Sequence, residues 1–176
     1  MNKKNKASAT KIPKILKESK FSPLSIEVIK KLKQSGFQGY LVGGCVRDSL
    51  AGIKAKDFDV STNATPEEVR KIFRSSRIIG KRFRLVHVFS RSELIEVSTF
   101  RANTSKKDNG SGVVKDSEGK ILRDNVWGTL EEDCIRRDFS VNALYFDPIE
   151  NHLCDFHNGL QHIQKKILVS IGDPLI

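Results

Sequence analysis

The hydrophobic and polar positions of this 176-residue chain change period several times, and each change marks an element. Residues 1–20 are lysine-rich and polar with no aromatic residue, which predicts a disordered tail: too little apolar surface is available to offset chain entropy. Ser22-Pro23 then opens a helix, with Ser22 as N-cap and Pro23 at the first helical position. Val28, Ile29 and Leu32 form its apolar stripe, and Gly36 closes it. Tyr40-Leu41-Val42 reads as a strand end, followed by the Gly43-Gly44 turn, a short helix, a loop at Gly52 and a second strand over Lys56–Val60. In that strand period-2 alternation sends Asp57 and Asp59 to one face and Phe58 and Val60 to the other.

Thr65-Pro66-Glu67-Glu68 forms a capping box, so a helix is expected to about Arg74. Three strand-type segments follow: Ile78-Ile79, Leu85–Phe89 and Leu94–Phe100. Residues 102–120, rich in Lys, Ser, Gly and Asp, predict a mobile loop. Thr129-Leu-Glu-Glu132 is a second capping box, opening a helix through Arg136. Ser140–Phe146 alternates like a strand, Leu153–Asp155 is a short strand, Gly159–Ile163 a helical turn, and Ile167–Ile171 a last apolar piece. Strands with interspersed helices predict an α+β domain, a mixed and mainly antiparallel sheet flanked by helices, over residues 21–176 behind the tail.

A chain of this length suits one cored domain, with or without a tail. The net charge is +10, and residues 1–20, with seven lysines and one glutamate, carry six of those charges. Such an excess favours a polyanion such as RNA, or serves solubility alone. Cys45, Cys134 and Cys154 are odd in number and lack a C-x-x-C spacing, which fits free thiols in a reducing compartment. No apolar run approaches a membrane span and no secretory signal opens the chain, so a cytoplasmic protein is expected.

Two adjacent carboxylates repel unless a cation lies between them, and hard oxygen ligands suit Mg²⁺ with water and phosphate completing the shell. The diglycine turn one strand away allows backbone N–H groups close to an anion. Either motif alone is more often a plain strand face or a turn; their joint occurrence suggests metal-assisted chemistry on a nucleotide. Arg136 and Arg137 can grip phosphate in bidentate fashion beside Asp138, although alone such a set is usually a surface ion pair. Glu96 is either a third acid at the site or, the favoured reading, an outward-facing strand residue. The basic turn Lys81–Arg84 is read first as a solvated hairpin and second as a phosphate contact. His152, Cys154, His157 and His162 hold too few firm ligands for zinc. No P-loop or dinucleotide fingerprint is present.

Taken together, Gly43-Gly-Cys-Val-Arg-Asp48, Lys56-Asp-Phe-Asp-Val60 and Arg136-Arg-Asp-Phe-Ser-Val-Asn-Ala143 resemble the motifs of class II template-independent nucleotidyltransferases, the bacterial poly(A) polymerases and tRNA CCA-adding enzymes. The likeness runs from about Tyr40 to Pro174. Asp59–Pro66, Gly80–Val88 and Leu122–Gly128 resemble the poly(A) polymerase I branch more than the CCA-adding one. The resemblance implies that Asp57 and Asp59 bind two Mg²⁺ ions, that Asp138 is a further active-site acid, and that Gly43, Gly44, Arg47, Arg136 and Arg137 contact the nucleotide. It implies ATP as substrate and an RNA 3′ end as acceptor, with a CCA-adding head or a non-catalytic RNA-binding remnant as alternatives. Two departures stand out. Asn158-Gly-Leu-Gln-His162 replaces the family's Gly-Gly-x-x-Asp, with His162 in place of an acid. The family also continues into a base-reading neck and a helical body, whereas this chain ends at Ile176. On that ground the polypeptide alone is expected to be weakly active and less selective for ATP.

Overall fold

The structure is a computed structural model that describes residue 16 and residues 21–81, 83–102, 113–115, 121–124 and 126–172. The basic tail, apart from Leu16, and most of the 102–120 loop lie outside the described residues. Leu16 itself is buried in the main core. The first helix, α1 (Pro23–Gln34), forms where its caps predict: the Ser22 side chain accepts from Ser25 N–H, and Val28, Ile29 and Leu32 are fully buried. β1 (Tyr40–Val42), α2 (Gly44–Leu50), β2 (Asp59–Thr62) and α3 (Pro66–Ile72) follow. α3 has the predicted capping box, with both the Thr65 and Glu68 side chains engaged.

β3 (Ser76–Ile79), β4 (Leu85–Phe89) and β5 (Leu94–Thr99) match the three predicted apolar segments within two residues. A separate ribbon pairs β6 (Val113–Lys115) with β7 (Ile121–Asp124), so a strand falls within the stretch expected to be a loop. After α4 (Leu130–Ile135) the chain departs from the predicted strand at Ser140: residues Ser140–Asn142 form a 3₁₀ turn, and β8 starts only at Leu144 and runs to Asp147. β8 does not alternate in burial; all four of its residues are buried. Its place between β1 and β9 (His152–Asp155), with both faces covered, removes the period-2 signal. α5 (Gly159–Lys165) closes the described fold.

The main sheet has seven strands in the order β3-β4-β5-β2-β1-β8-β9, and every pairing is antiparallel except β2 with β5. One apolar cluster packs α1, α2 and α3 on one face; a second, built from Val42, Phe100, Leu130, Cys134, Ala143, Tyr145 and Cys154, lies under α4. Tyr145, Phe100 and Phe146 are the largest fully buried side chains, and each contributes roughly 1.5–3 kcal/mol by leaving water. Gly159 is dictated by packing. A Cβ there would lie 2.3 Å from the Ser140 carbonyl oxygen, so α5 can rest on the 3₁₀ turn only with glycine at that position. Ile167, Leu168 and Val169 of the last apolar piece stay exposed while their backbone ties to the same turn, with Ser140 N–H donating to Val169 O at 2.9 Å.

Candidate active site

β1 and β2 run antiparallel with Val42 opposite Asp59, so the diglycine turn leaves the sheet at the end where the aspartates enter it. Asp59 is the first residue of β2; Asp57 precedes the strand and does not lie in it. The reason is local: β1 turns away at Gly43, whose φ of 73° suits glycine, leaving the chain before Asp59 without a ladder partner on that side. Phe58, between the two acids, packs edge-on against Phe21 on the core side. Both carboxylates reach solvent.

The parallel register sets Glu96 of β5 directly beside Asp59, and the antiparallel register sets His87 of β4 beyond it. His87 Nε2 lies 3.4 Å from Glu96 Oε1. Glu96 is exposed on its strand, as favoured from sequence, yet it belongs to the acidic row. Partial burial first, then the Glu96 charge and more weakly Asp57, push the Asp59 carboxyl above its ordinary pKa, while Arg137 draws it down. Negative charge is therefore in local excess at this strand end, the condition under which a divalent cation is stabilising. Among the described residues no group of three or more His, Cys, Asp or Glu gathers tightly enough to hold a metal ion by itself.

Positive charge at the turn comes from side chains, since α2 spans only seven residues and sums few peptide dipoles. A Cβ built on Gly43 would meet Arg137 Nη1 at 3.5 Å, and one on Gly44 would meet Arg47 Nη2 at 3.6 Å, so a guanidinium lies over each glycine. Arg47 Nε donates to Asp48 Oδ1 at 2.8 Å and its Nη1 to Asn142 Oδ1 at 2.7 Å. Asn142 Nδ2 donates in turn to Asp138 Oδ1 at 3.2 Å, which also accepts Phe139 N–H at 2.7 Å. Arg137 Nε donates to the Tyr145 hydroxyl at 2.9 Å, and that hydroxyl donates to Asp133 Oδ2 at 2.7 Å. Burial works against the Arg137 charge, but Tyr145 and Asp133 outweigh it and leave its pKa raised.

Arg136 donates to the Ala102 carbonyl at 2.9 Å. With Ser98, Arg101, Asp133 and Arg137 it lines a pocket of about 260 Å³. The structure thus brings Gly43, Gly44, Arg47, Asp59, Arg137 and Asp138 into one connected set. The paired arginines have different hydrogen-bond partners, the Ala102 carbonyl for Arg136 and the Tyr145 hydroxyl for Arg137, yet both line the same pocket. Of the Lys81–Arg84 turn, Arg84 pairs with Glu67 of α3 at 2.5 Å, and Phe83 lies under the Arg101 guanidinium at 4.7 Å. Arg82 lies outside the described residues.

Sequence reasoning passed over Asn142, Asp133 and Tyr145. Asn142 lies within the quoted arginine motif and Asp133 and Tyr145 close to it, but the hydrogen bonds that give them a purpose join residues up to 95 positions apart. The departure at Asn158–His162 has a structural account. Asn158 takes a left-handed φ of 58°, which asparagine tolerates, and His162 Nδ1 shares a hydrogen bond of 2.7 Å with Ser140 Oγ, bracing the 3₁₀ turn.

Fold and site together define an α+β domain whose sheet ends in an acidic row faced by a guanidinium-lined diglycine turn. The description "Poly A polymerase head domain" matches residues 39–169, and the chain belongs to that family. Among its relatives, Poly(A) polymerase I of Haemophilus influenzae is 49% identical over 156 residues, covering 88% of this chain and 34% of that protein. Poly(A) polymerase I of Salmonella typhi is 45% identical, covering 85% and 32%, and the CCA-adding enzyme of Bacillus licheniformis 34% identical, covering 85% and 35%. The fold is also that of the Bacillus stearothermophilus CCA-adding enzyme solved with CTP: TM-score 0.66 at 32% identity, over 86% of this chain and 34% of that one. The chain spans about a third of the length of these curated relatives. No helix among the described residues is long and apolar enough to cross a membrane.

Proposed function

We propose that this domain carries the transfer chemistry of an RNA adenylyltransferase, joining AMP from ATP to an RNA 3′-hydroxyl with release of pyrophosphate. The observation that carries this reading is the register that sets Asp59 opposite Val42, one residue ahead of the diglycine turn with Arg137 over it. A triphosphate held at the turn then has its reacting end beside the acids. Arg137 and Arg47 neutralise and orient the phosphates; Asp138, tied to Arg47 through Asn142, is a further active-site acid for ribose or metal. Asp57 and Asp59 are the residues that would hold Mg²⁺, the excess negative charge on Asp59 being the feature that fits a divalent cation. When bound, such ions supply activation of the attacking hydroxyl and charge neutralisation on the leaving pyrophosphate.

The higher identity to Poly(A) polymerase I than to CCA-adding enzymes supports ATP over CTP as the nucleotide. Three free, buried cysteines agree with a cytoplasmic setting. The test is transfer of labelled AMP to an RNA 3′ end by the wild-type chain and by Asp57→Asn and Asp59→Asn. Each variant is expected to fold and to lose on the order of 10³-fold or more in transfer rate. Transfer by either variant at near wild-type rate overturns the assignment. Running CTP and a tRNA lacking its 3′ end in parallel separates the CCA-adding alternative.

A further inference from the structure

Arg137 is held in an unusual way for a residue so close to a solvent-reaching site. Its Nε edge faces inward to the hydroxyl of Tyr145, a side chain with no exposed surface. That hydroxyl cannot turn freely, because its own proton is directed to Asp133 Oδ2. Asp133 Oδ1 is occupied as well, accepting the backbone N–H of Arg101 at 3.0 Å just after β5. Arg137 also lies over the Tyr145 ring, 5.2 Å from its centroid, and its Nη1 donates to the Asn142 carbonyl at 3.4 Å. A planar fork gripped along its Nε edge has little rotational freedom left, so its outer nitrogen, Nη1, keeps a single direction. That direction is toward Gly43.

We infer that the Tyr145 hydroxyl and the Asp133 carboxylate are positioning groups that clamp the inner edge of Arg137 so that its outer nitrogen, Nη1, meets the phosphate chain of a nucleotide at the Gly43 turn. This rests on the function proposed above and assigns it two residues that never touch the nucleotide. The clamp acts in one order: the β5 backbone fixes Asp133, Asp133 orients the Tyr145 hydroxyl, and the hydroxyl fixes Arg137. Asp133 lies 3.8 Å from Arg137 Nη2, too far for a direct hydrogen bond, so the hydroxyl is the required link. A buried Tyr–Asp pair that served packing alone would be matched by Phe and an apolar partner without effect on anion affinity.

The experiment compares the affinity of the full chain for ATP and for adenosine, the first with phosphates and the second without. In Tyr145→Phe the ratio of the two affinities is expected to fall roughly tenfold, the scale of one misaligned charge-assisted contact, with adenosine affinity unchanged. Cys154→Ala is the control: Cys154 pairs with Tyr145 in the sheet and lies in the same cluster, so it loosens packing and leaves the clamp intact. That control should lower the melting temperature and keep the ratio. If Tyr145→Phe does not fold, Asp133→Ala, which takes the acceptor from the hydroxyl, is expected to lower the ratio in the same direction. A wild-type ratio in the clamp variant, or an equal fall in Cys154→Ala, overturns the clamp while leaving the proposed function standing. A wild-type chain that prefers ATP to adenosine by nothing overturns both.

Discussion

Asn142 shows how much one side chain can organise. Its amide oxygen accepts from Arg47, its amide nitrogen donates to Asp138, and its carbonyl accepts from Arg137, so three candidate nucleotide contacts meet at one half-buried residue. Just after β9, His157 carries a pH signature. Burial lowers its pKa below the ordinary 6.5, against the pull of Asp155, and its Nε2 has no hydrogen-bond partner among the described residues. The unfolded chain therefore binds the proton more readily than the folded one. Its contribution to stability is complete above pH 6.5 and is lost as pH falls through the lower folded value. His157→Gln should flatten the dependence of melting temperature on pH between about 7 and 5, read in thermal scans against wild type. The neighbouring thiols add nothing there: burial pushes Cys154 up to about 11, and it stays protonated throughout.

Among the elements, α4 does the most with the least length. Six residues are too few for a helix to persist on propensity alone, so it depends on its caps and its seat on the second cluster. The capping box closes both ways, with Glu132 N–H donating to Thr129 Oγ1 at 3.2 Å and Thr129 N–H to Glu132 Oε2 at 2.9 Å. Thr129→Ala is expected to cost about 1 kcal/mol in denaturant unfolding. Asp133 lies inside α4 and Arg137 just after it, so the same variant should also weaken ATP affinity more than adenosine affinity. The capping boxes and the Ser22 cap were readable because they are local, three residues across. The strand expected over Ser140–Phe146 was not, because its first half is a 3₁₀ turn braced by His162 and Gly159 from a distant helix.

At the scale of the whole molecule, charge is divided unevenly. Residues 1–20 hold six of the ten net positive charges, and the acidic row lies in the remainder. Under the proposed function, long-range attraction of RNA is expected from the tail and the chemistry from the sheet end. Removing residues 1–15 deletes five lysines while keeping Leu16, which is buried in the core. The slope of log affinity for single-stranded RNA against log salt is expected to become shallower by up to about 3, as measured by titration over a salt series. AMP transfer at saturating RNA should change little. An unchanged slope would remove the tail from RNA binding.

What the sequence determined by itself is what short-range chemistry controls. Caps, turns, periodic apolar stripes and the identity of the acids and glycines are readable because the groups that interact are neighbours along the chain. The α+β class followed from their order. Tertiary structure decided which of those groups meet. Val42 faces Asp59 and Asp59 faces Glu96 through ladder register, and register between strands far apart in sequence has no local signal. The same is true of Arg137, whose partners Tyr145 and Gly43 lie on two different strand ends, and of Arg136, which shares its motif and donates to the Ala102 carbonyl. Adjacent residues on a tight turn can take different partners, and only the packed sheet decides which partner each one meets.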